Sequence, residues 1–236
     1  MRLVFPLLIN IVLAPVAFAG RDAPPDFPAL IRDLDKPEER CLRKQLDVAH
    51  VYFIENRDAL DDYARPWFAA LIKEMSRLAD QGDAEWQWRL GAEYLRGGLV
   101  PHDDAKALAL YVKAARQDFP EAYVAIGNYY KHADGLARSI QFMRVGAMLG
   151  SGEACYEMAF LYGPNCLMKE NWTEEYAWSL LAQRRGLALR KSAFSRKPMV
   201  LDSDGQARAQ NIELELDRLR FSMNWQQCLE DVKPVD

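Results

Sequence analysis

The sequence has few of the residues that carry most enzyme chemistry, with three histidines and four cysteines among 236 residues. His50, His102 and His132 stand in different predicted elements, which argues against a shared metal site. The motifs HExxH, GxSxG and CxxC, the phosphate-binding loop and the dinucleotide fingerprint are also absent. We therefore predict no catalytic residues, no metal and no cofactor, and we expect a protein that is not an enzyme.

An excess of positive charge is also lacking, since 34 acidic residues outnumber 30 lysines and arginines and the formal net charge is −4 at pH 7. No basic stripe with interleaved aromatic residues is present, which argues against nucleic acid as a partner. One local basic run covers residues 184–197. It is typical of a solvated helix end and loop, although contact with a partner through this run stays open.

Residues 1–19 form an apolar run with an early arginine and the small-x-small pattern Ala17-Phe18-Ala19. This pattern is typical of a signal peptide, here cleaved after Ala19. A transmembrane anchor is the alternative, but Pro6 and Pro15 interrupt a run that is short for a hydrocarbon core of about 30 Å. We expect export and no integral membrane anchor.

The middle of the chain repeats a pair of an apolar and a small residue, followed three places later by tyrosine. The three copies are Leu90-Gly91 with Tyr94, Ile126-Gly127 with Tyr130, and Met158-Ala159 with Tyr162. The small residues follow each other at steps of 36 and 32 residues. Around each pair the apolar residues recur at helical spacing, which predicts one helix, helix A, per repeat.

A second helix, helix B, is predicted after each helix A. In the first repeat, Gly97-Gly98 and Pro101 end helix A, and Asp103 or Asp104 can cap helix B. The inner face of this helix B carries Ala107, Leu110, Tyr111, Ala114 and Ala115. The small residue of helix A lets helix B cross it closely.

This first unit, Leu90-Gly91-Ala92-Glu93-Tyr94 with its GGLVP loop and a helix B of the form KAxxxYxKAA, resembles the Sel1-like repeat (SLR), a relative of the tetratricopeptide repeat. The second and third units match more loosely. The resemblance implies an all-α fold, a right-handed α-solenoid of helix-turn-helix repeats over residues 65–186.

Atypical helical caps are predicted at both ends of this array. The proline-rich residues 20–40 form a leader, and residues 41–64 form an N-terminal helical cap because Leu42, Leu46 and Ala49 keep a helical period. Residues 187–236 form a C-terminal helical cap and tail, with the tail after Trp225 expected to be frayed. Asp202 or Ser203 can cap the closing helix, and its apolar set is Ile212, Leu214, Leu216, Leu219 and Phe221.

Four cysteines in an exported chain favour disulfides, and four cysteines allow three pairings. Cys155 and Cys166 would lie at opposite ends of one helix, ~16 Å apart, which is too far for a disulfide. We favour a Cys166–Cys228 disulfide that ties a loop to the C-terminal cap. The pairing of Cys41 and Cys155 stays open.

By its resemblance to tetratricopeptide units, the array presents a concave surface lined by five positions of each helix A. The residues at these positions are Glu85, Trp88, Ala92, Leu95 and Arg96 in the first repeat and Glu121, Val124, Asn128, Lys131 and His132 in the second. In the third repeat, three of the five positions are assigned to the surface, and they hold Glu153, Tyr156 and Phe160. The aromatic residues are typical anchors of a protein-binding surface. The recurring glutamate fits such a surface, but it also suits the first turn of any helix without a partner.

The resemblance implies a binding protein that is monomeric when free and lies in the periplasm. Small exported SLR proteins of Gram-negative bacteria include immunity proteins that neutralise phospholipase or lipase effectors of type VI secretion. Others are structural parts of envelope machines, such as flagellar stators or polysaccharide secretion scaffolds. We expect the first role, with the scaffold and an envelope enzyme as the alternatives.

Overall fold

The computed structural model describes residues 42–49, 65–132, 135–163, 169, 171–187, 203–222 and 224–234. All regular structure within these ranges is helical, as predicted. The predicted signal peptide and the proline-rich leader lie outside the described residues. The helices are α1 (42–49), α2 (Arg65–Asp80), α3 (Ala84–Arg96), α4 (Asp104–Ala115), α5 (Pro120–His132), α6 (Leu136–Met148), α7 (Gly152–Leu161), α8 (Trp172–Arg184) and α9 (Ser203–Ser222), followed by a short 3-10 helix (Trp225–Leu229).

Helices α3 to α8 pack as a solenoid of three helix A–helix B pairs. The pairs are α3 with α4, α5 with α6, and α7 with α8. The first two helices B, α4 and α6, also pack against the helix A that follows them. The helices A also contact each other from one repeat to the next, since α3 touches α5 and α5 touches α7. The predicted all-α solenoid is therefore confirmed.

Side-chain caps and a left-handed glycine set the ends of these helices. Asp83, Asp103, Ser151 and Asn171 each accept a hydrogen bond from the backbone N–H three residues later, at the starts of α3, α4, α7 and α8. Gly97 ends α3 with φ of 67°, a conformation that favours glycine. The cap of the first helix B is thus Asp103, one of the two predicted candidates.

The small residues of the repeat are required where helix A and helix B cross. A Cβ atom on Gly91 would lie 2.8 Å from the ring of Tyr111 and 3.1 Å from the carbonyl oxygen of Ala107. A Cβ atom on Gly127 would lie 2.9 Å from the terminal methyl group of Met143. The predicted reason for these glycines, close helix crossing, is confirmed.

The closing helix α9 packs on the helix B side of the array, against α6 and α8. Its buried face consists of Ala209, Ile212 and Leu216. The predicted apolar set was wrong at Leu214, which is 56% exposed, and at Phe221, which is 89% exposed. These two positions lie on the opposite side of a helix that has 3.6 residues per turn.

The segment after Trp225 is packed, so the predicted frayed tail is wrong for residues 225–234. Trp225 donates its ring N–H to Asp118 at 3.1 Å, and Leu229 is buried against the second repeat. The hydroxyl of Tyr130 donates to the carbonyl of Lys233 at 3.0 Å and accepts from its N–H at 2.9 Å. The chain therefore returns over the array, from α8 across α6 to α4.

Candidate protein-interaction surface

The predicted surface residues lie on the three helices A, but the first repeat already engages most of its own. Glu85 accepts hydrogen bonds from Arg89 of the same helix at 2.8 Å and from Arg43 of α1. Arg96 pairs with the carboxylate of Glu93, which is 1% exposed. A buried carboxylate is costly without a counter-charge, so Arg96 stabilises the folded chain by compensating Glu93.

Trp88 is also held within the molecule. Its ring lies 5.9 Å from the ring of Phe119, and the guanidinium carbon of Arg89 lies 5.5 Å from the Trp88 ring centre. Together with Leu95, Trp88 packs against the core cluster shared by the first two repeats. These contacts stabilise the junction between α3 and α5, whether or not a partner is bound.

The second and third repeats are different, because here an aromatic side chain faces solvent. Phe160 of α7 is 55% exposed. Beneath it, Lys131 of α5 donates to Glu157 of α7 at 2.6 Å, and the Lys131 amine lies 5.7 Å from the Phe160 ring centre. Since Lys131 and Glu157 are only 13% and 18% exposed, this pair is a firm link between neighbouring helices A.

Glu157 was missed by the sequence reasoning. It is not one of the five lining positions of a tetratricopeptide unit, but it lies four residues after Glu153 and three before Phe160. At helical spacing these three residues share one face of α7. That spacing is the signal that could have identified Glu157.

Negative charge accumulates around this pair. Burial, followed by the charges of Glu157 and Glu121, raises the pKa of Glu153 above its ordinary value. Burial and Glu157 likewise raise the pKa of Tyr156. We name the surface of Glu121, Lys131, Glu153, Glu157 and Phe160 the α5–α7 face.

Asn128 and Val124, two further residues of the second repeat, differ in whether they can face a partner. Asn128 has a side-chain oxygen with no solvent contact and no hydrogen-bond partner among the described residues. Val124, which was predicted to line the surface, is 2% exposed and packs against α6 beside Gly146. Its prediction was wrong because a glycine in helix B brings α6 closer to α5 at this point. The side chain of His132 lies outside the described residues.

The cysteines give no support to the predicted disulfide. Cys228 is a free thiol that donates to the carbonyl of Trp225 at 2.7 Å, and Cys166 lies outside the described residues, as does Cys41. Cys155 is free and buried, and burial raises its pKa to about 11. Such a thiol is protonated at neutral pH and therefore a weak nucleophile.

Neither a metal site nor a membrane span is found among the residues that the structure describes. Histidine, cysteine and acidic side chains nowhere form a group of three that could hold a metal ion in these ranges. His102 instead contacts the Leu95 carbonyl at 2.8 Å and Asp104 at 2.9 Å, which places it in the first helix A–helix B loop. No helix of the described ranges is long and apolar enough to cross a bilayer.

Comparison with known proteins identifies the fold. No family model and no curated protein matches the sequence. Among solved structures, a Sel1 repeat protein from Oxalobacter formigenes is 20% identical, with a TM-score of 0.50 over 78% of this chain and 77% of that chain. The protein thus has the Sel1-like repeat fold, an α-solenoid of the class that offers extended surfaces for protein binding.

Two further solved structures are similar over large parts of this chain. The protective antigen c5321 of uropathogenic Escherichia coli, which displays an SLR fold, is 24% identical, with a TM-score of 0.45 over 70% of this chain and 34% of the antigen. The immunity protein Pa5087 of Pseudomonas aeruginosa is 18% identical, with a TM-score of 0.34 over 85% of this chain and 87% of that protein.

Proposed function

We propose that this protein acts by binding another protein on its α5–α7 face and that it carries out no chemistry of its own. The observation that carries the proposal is the exposed ring of Phe160 above the Lys131–Glu157 pair. A large apolar side chain fixed within a polar rim is the composition of a binding hot spot.

The packing of α5 on α7 makes this face suitable for binding. The short, largely buried link between Lys131 and Glu157 fixes two neighbouring helices relative to each other. A surface that is rigid before binding loses less conformational entropy when a partner docks. On the opposite side, α9 and the 3-10 helix already cover α8, α6 and α4.

The test compares two exposed phenylalanines. Purified wild type, Phe160→Ser and Phe221→Ser would be used to capture proteins from an extract of the native host. Phe221 is the matched control because it is more exposed than Phe160 and lies on the closing helix. We expect Phe160→Ser alone to lose a protein that the wild type and Phe221→Ser both retain. Equal capture by all three would argue against the α5–α7 face.

For the finer role, we propose an exported immunity protein that neutralises a phospholipase or lipase effector of type VI secretion in the periplasm. Support comes from the resemblance of the repeat unit to exported SLR proteins and from the signal-like pattern of residues 1–19. Such an inhibitor has to cover a catalytic cleft with a large, rigid surface and needs no catalytic residues.

This role is tested by a protection assay. An effector encoded beside this gene would be expressed with a periplasmic signal, together with the full chain, a chain lacking residues 1–19, or Phe160→Ser. We expect the unsubstituted full chain to rescue growth, whereas the chain lacking residues 1–19 and the Phe160→Ser variant do not. Equal rescue by the chain without residues 1–19, or growth that does not depend on this protein, would overturn the immunity role and favour the envelope scaffold.

A further inference from the structure

The three helices A carry a glutamate at the same place in each repeat, in the first helical turn. These residues are Glu85, Glu121 and Glu153. The first of them receives a cation from outside its own repeat, because Arg43 of α1 donates to its carboxylate. Helix α1 docks there through Leu42 and Leu46, which are buried in one cluster with residues of α2 and α3. The first repeat thus shows how a packed helix can deliver an arginine to this position.

The other two glutamates have no such cation among the residues that the structure describes. Lys131, the basic residue of the α5–α7 face, is engaged by Glu157 and lies over the ring of Phe160. Burial is the largest influence on the Glu153 carboxyl group, and Glu157 and Glu121 then add charge of the same sign. The helix N-terminus favours a carboxylate, yet the net influence of the surroundings on Glu153 still disfavours its charged form.

We infer that the partner of the α5–α7 face supplies an arginine or lysine side chain to Glu121 and Glu153, as Arg43 does for Glu85 within the chain. This inference rests on the function proposed above. Glu153 and Phe160 lie on one face of α7, seven residues or ~10 Å apart. The partner segment therefore carries a cationic group and an apolar group at about that distance, as residues i and i+7 of a helix do. A partner of this chemistry compensates the charge and covers the ring at the same time.

A pair of synthetic helical peptides tests this inference without knowledge of the natural partner. Both are alanine-rich, capped at their ends and carry a phenylalanine seven residues from either arginine or its neutral isostere citrulline. Binding to the full chain would be measured by calorimetry at low salt. We expect the arginine peptide to bind about tenfold more tightly than the citrulline peptide, because one charge-assisted contact is added.

Three variants locate the effect. Glu121→Gln/Glu153→Gln is expected to abolish the preference for arginine, whereas Glu85→Gln, whose site is taken by Arg43, is expected to retain it. The double variant removes repulsion between like charges, so it is expected to melt no lower than the wild type. If it melts at a lower temperature, the carboxylates have a structural role in the free protein, and the inference fails. Phe160→Ser is expected to weaken the binding of both peptides.

Several results would overturn the inference. The first is that the wild type binds the two peptides equally or binds neither. The second is that the double variant still prefers the arginine peptide. The third is that sedimentation experiments show self-association of the chain through this face. Natural partner capture that depends on Phe160 but not on Glu121 and Glu153 would refute the cation while leaving the proposed function intact. Capture that depends on none of these residues would refute both.

Discussion

The helix A surface of the first repeat and that of the second and third repeats share a glutamate at the same position but differ in what surrounds it. In the first repeat, Glu85 is paired with Arg43 and Arg89, and Trp88 packs against Phe119. On the α5–α7 face, Phe160 is exposed and Glu153 lies among like charges. The comparison teaches that a repeated surface position is available to a partner only where the rest of the chain leaves it unsatisfied.

Replacing the aromatic residue of each region should give the largest contrast. Trp88→Ala removes a half-buried ring from the contact between α3 and α5, and we expect a loss of about 2 kcal/mol in the free energy of unfolding. Phe160→Ala removes a ring that is mostly in solvent, and the expected change is within about 0.5 kcal/mol. Urea unfolding monitored by circular dichroism measures both. A loss of similar size in the two variants would mean that the regions do not differ.

The crossing glycines sharpen the comparison through the core beneath each surface. Gly91→Ala drives a methyl group into the rigid ring of Tyr111, and we expect destabilisation of about 1–2 kcal/mol, as is usual for overpacking. Gly127→Ala meets the flexible end of Met143, and the helix gains about 0.5–1 kcal/mol from replacing glycine. The second change is therefore expected to be close to neutral. Thermal melts of the two variants, in the same buffer, would show similar losses if the carbonyl of Ser139, 3.2 Å from the added Cβ of Gly127, decides the cost.

The glutamates give the smallest effect, which appears as a dependence on pH. The folded-state pKa of Glu153 is raised above its ordinary value of 4.5, so the folded state binds a proton more tightly than the unfolded state does. This contribution to stability is present below pH 4.5 and is lost as the pH rises through the raised pKa. Compared with the wild type, Glu153→Gln should therefore lose less stability between about pH 4.5 and 7.

A carbon-detected NMR titration of the Glu153 carboxyl group checks the direction of the shift independently. The matching stability measurement in the first repeat uses Glu85→Gln. This change breaks the contact with Arg43 and should lower the melting temperature slightly at neutral pH. A Glu153 pKa at or below the ordinary value would remove the electrostatic part of the contrast between the two regions.

Local signals made the helices and their ends predictable. Gly97 and Asp103 act within one helical turn, so their effect can be inferred from neighbouring letters. The same local reasoning was wrong at Leu214, Phe221 and the segment after Trp225. Which face of α9 is buried depends on α6 and α8, and the C-terminal segment is held by Asp118 and Tyr130, which are more than 90 residues away in the chain.

The candidate surface was predictable only in outline. Repeat spacing placed Glu121, Glu153 and Phe160 on neighbouring helices, since equivalent positions of a solenoid align from repeat to repeat. It could not distinguish the two glutamates from Glu85, because Arg43, which pairs with Glu85, lies 42 residues away in the sequence. Nor could it predict that Lys131 would select Glu157 as its partner.

The sequence by itself determined the fold class, the period of the repeat and the places where helices begin and end. These depend on side-chain size, helix caps and a spacing of 3.6 residues per turn, all of which operate within a few residues. Only the tertiary structure decided which copies of the surface pattern remain open to a partner. Burial and charge pairing depend on contacts between segments that are distant in the sequence. Arg43 pairs with the glutamate of the first repeat, whereas Lys131 pairs with Glu157 on the α5–α7 face.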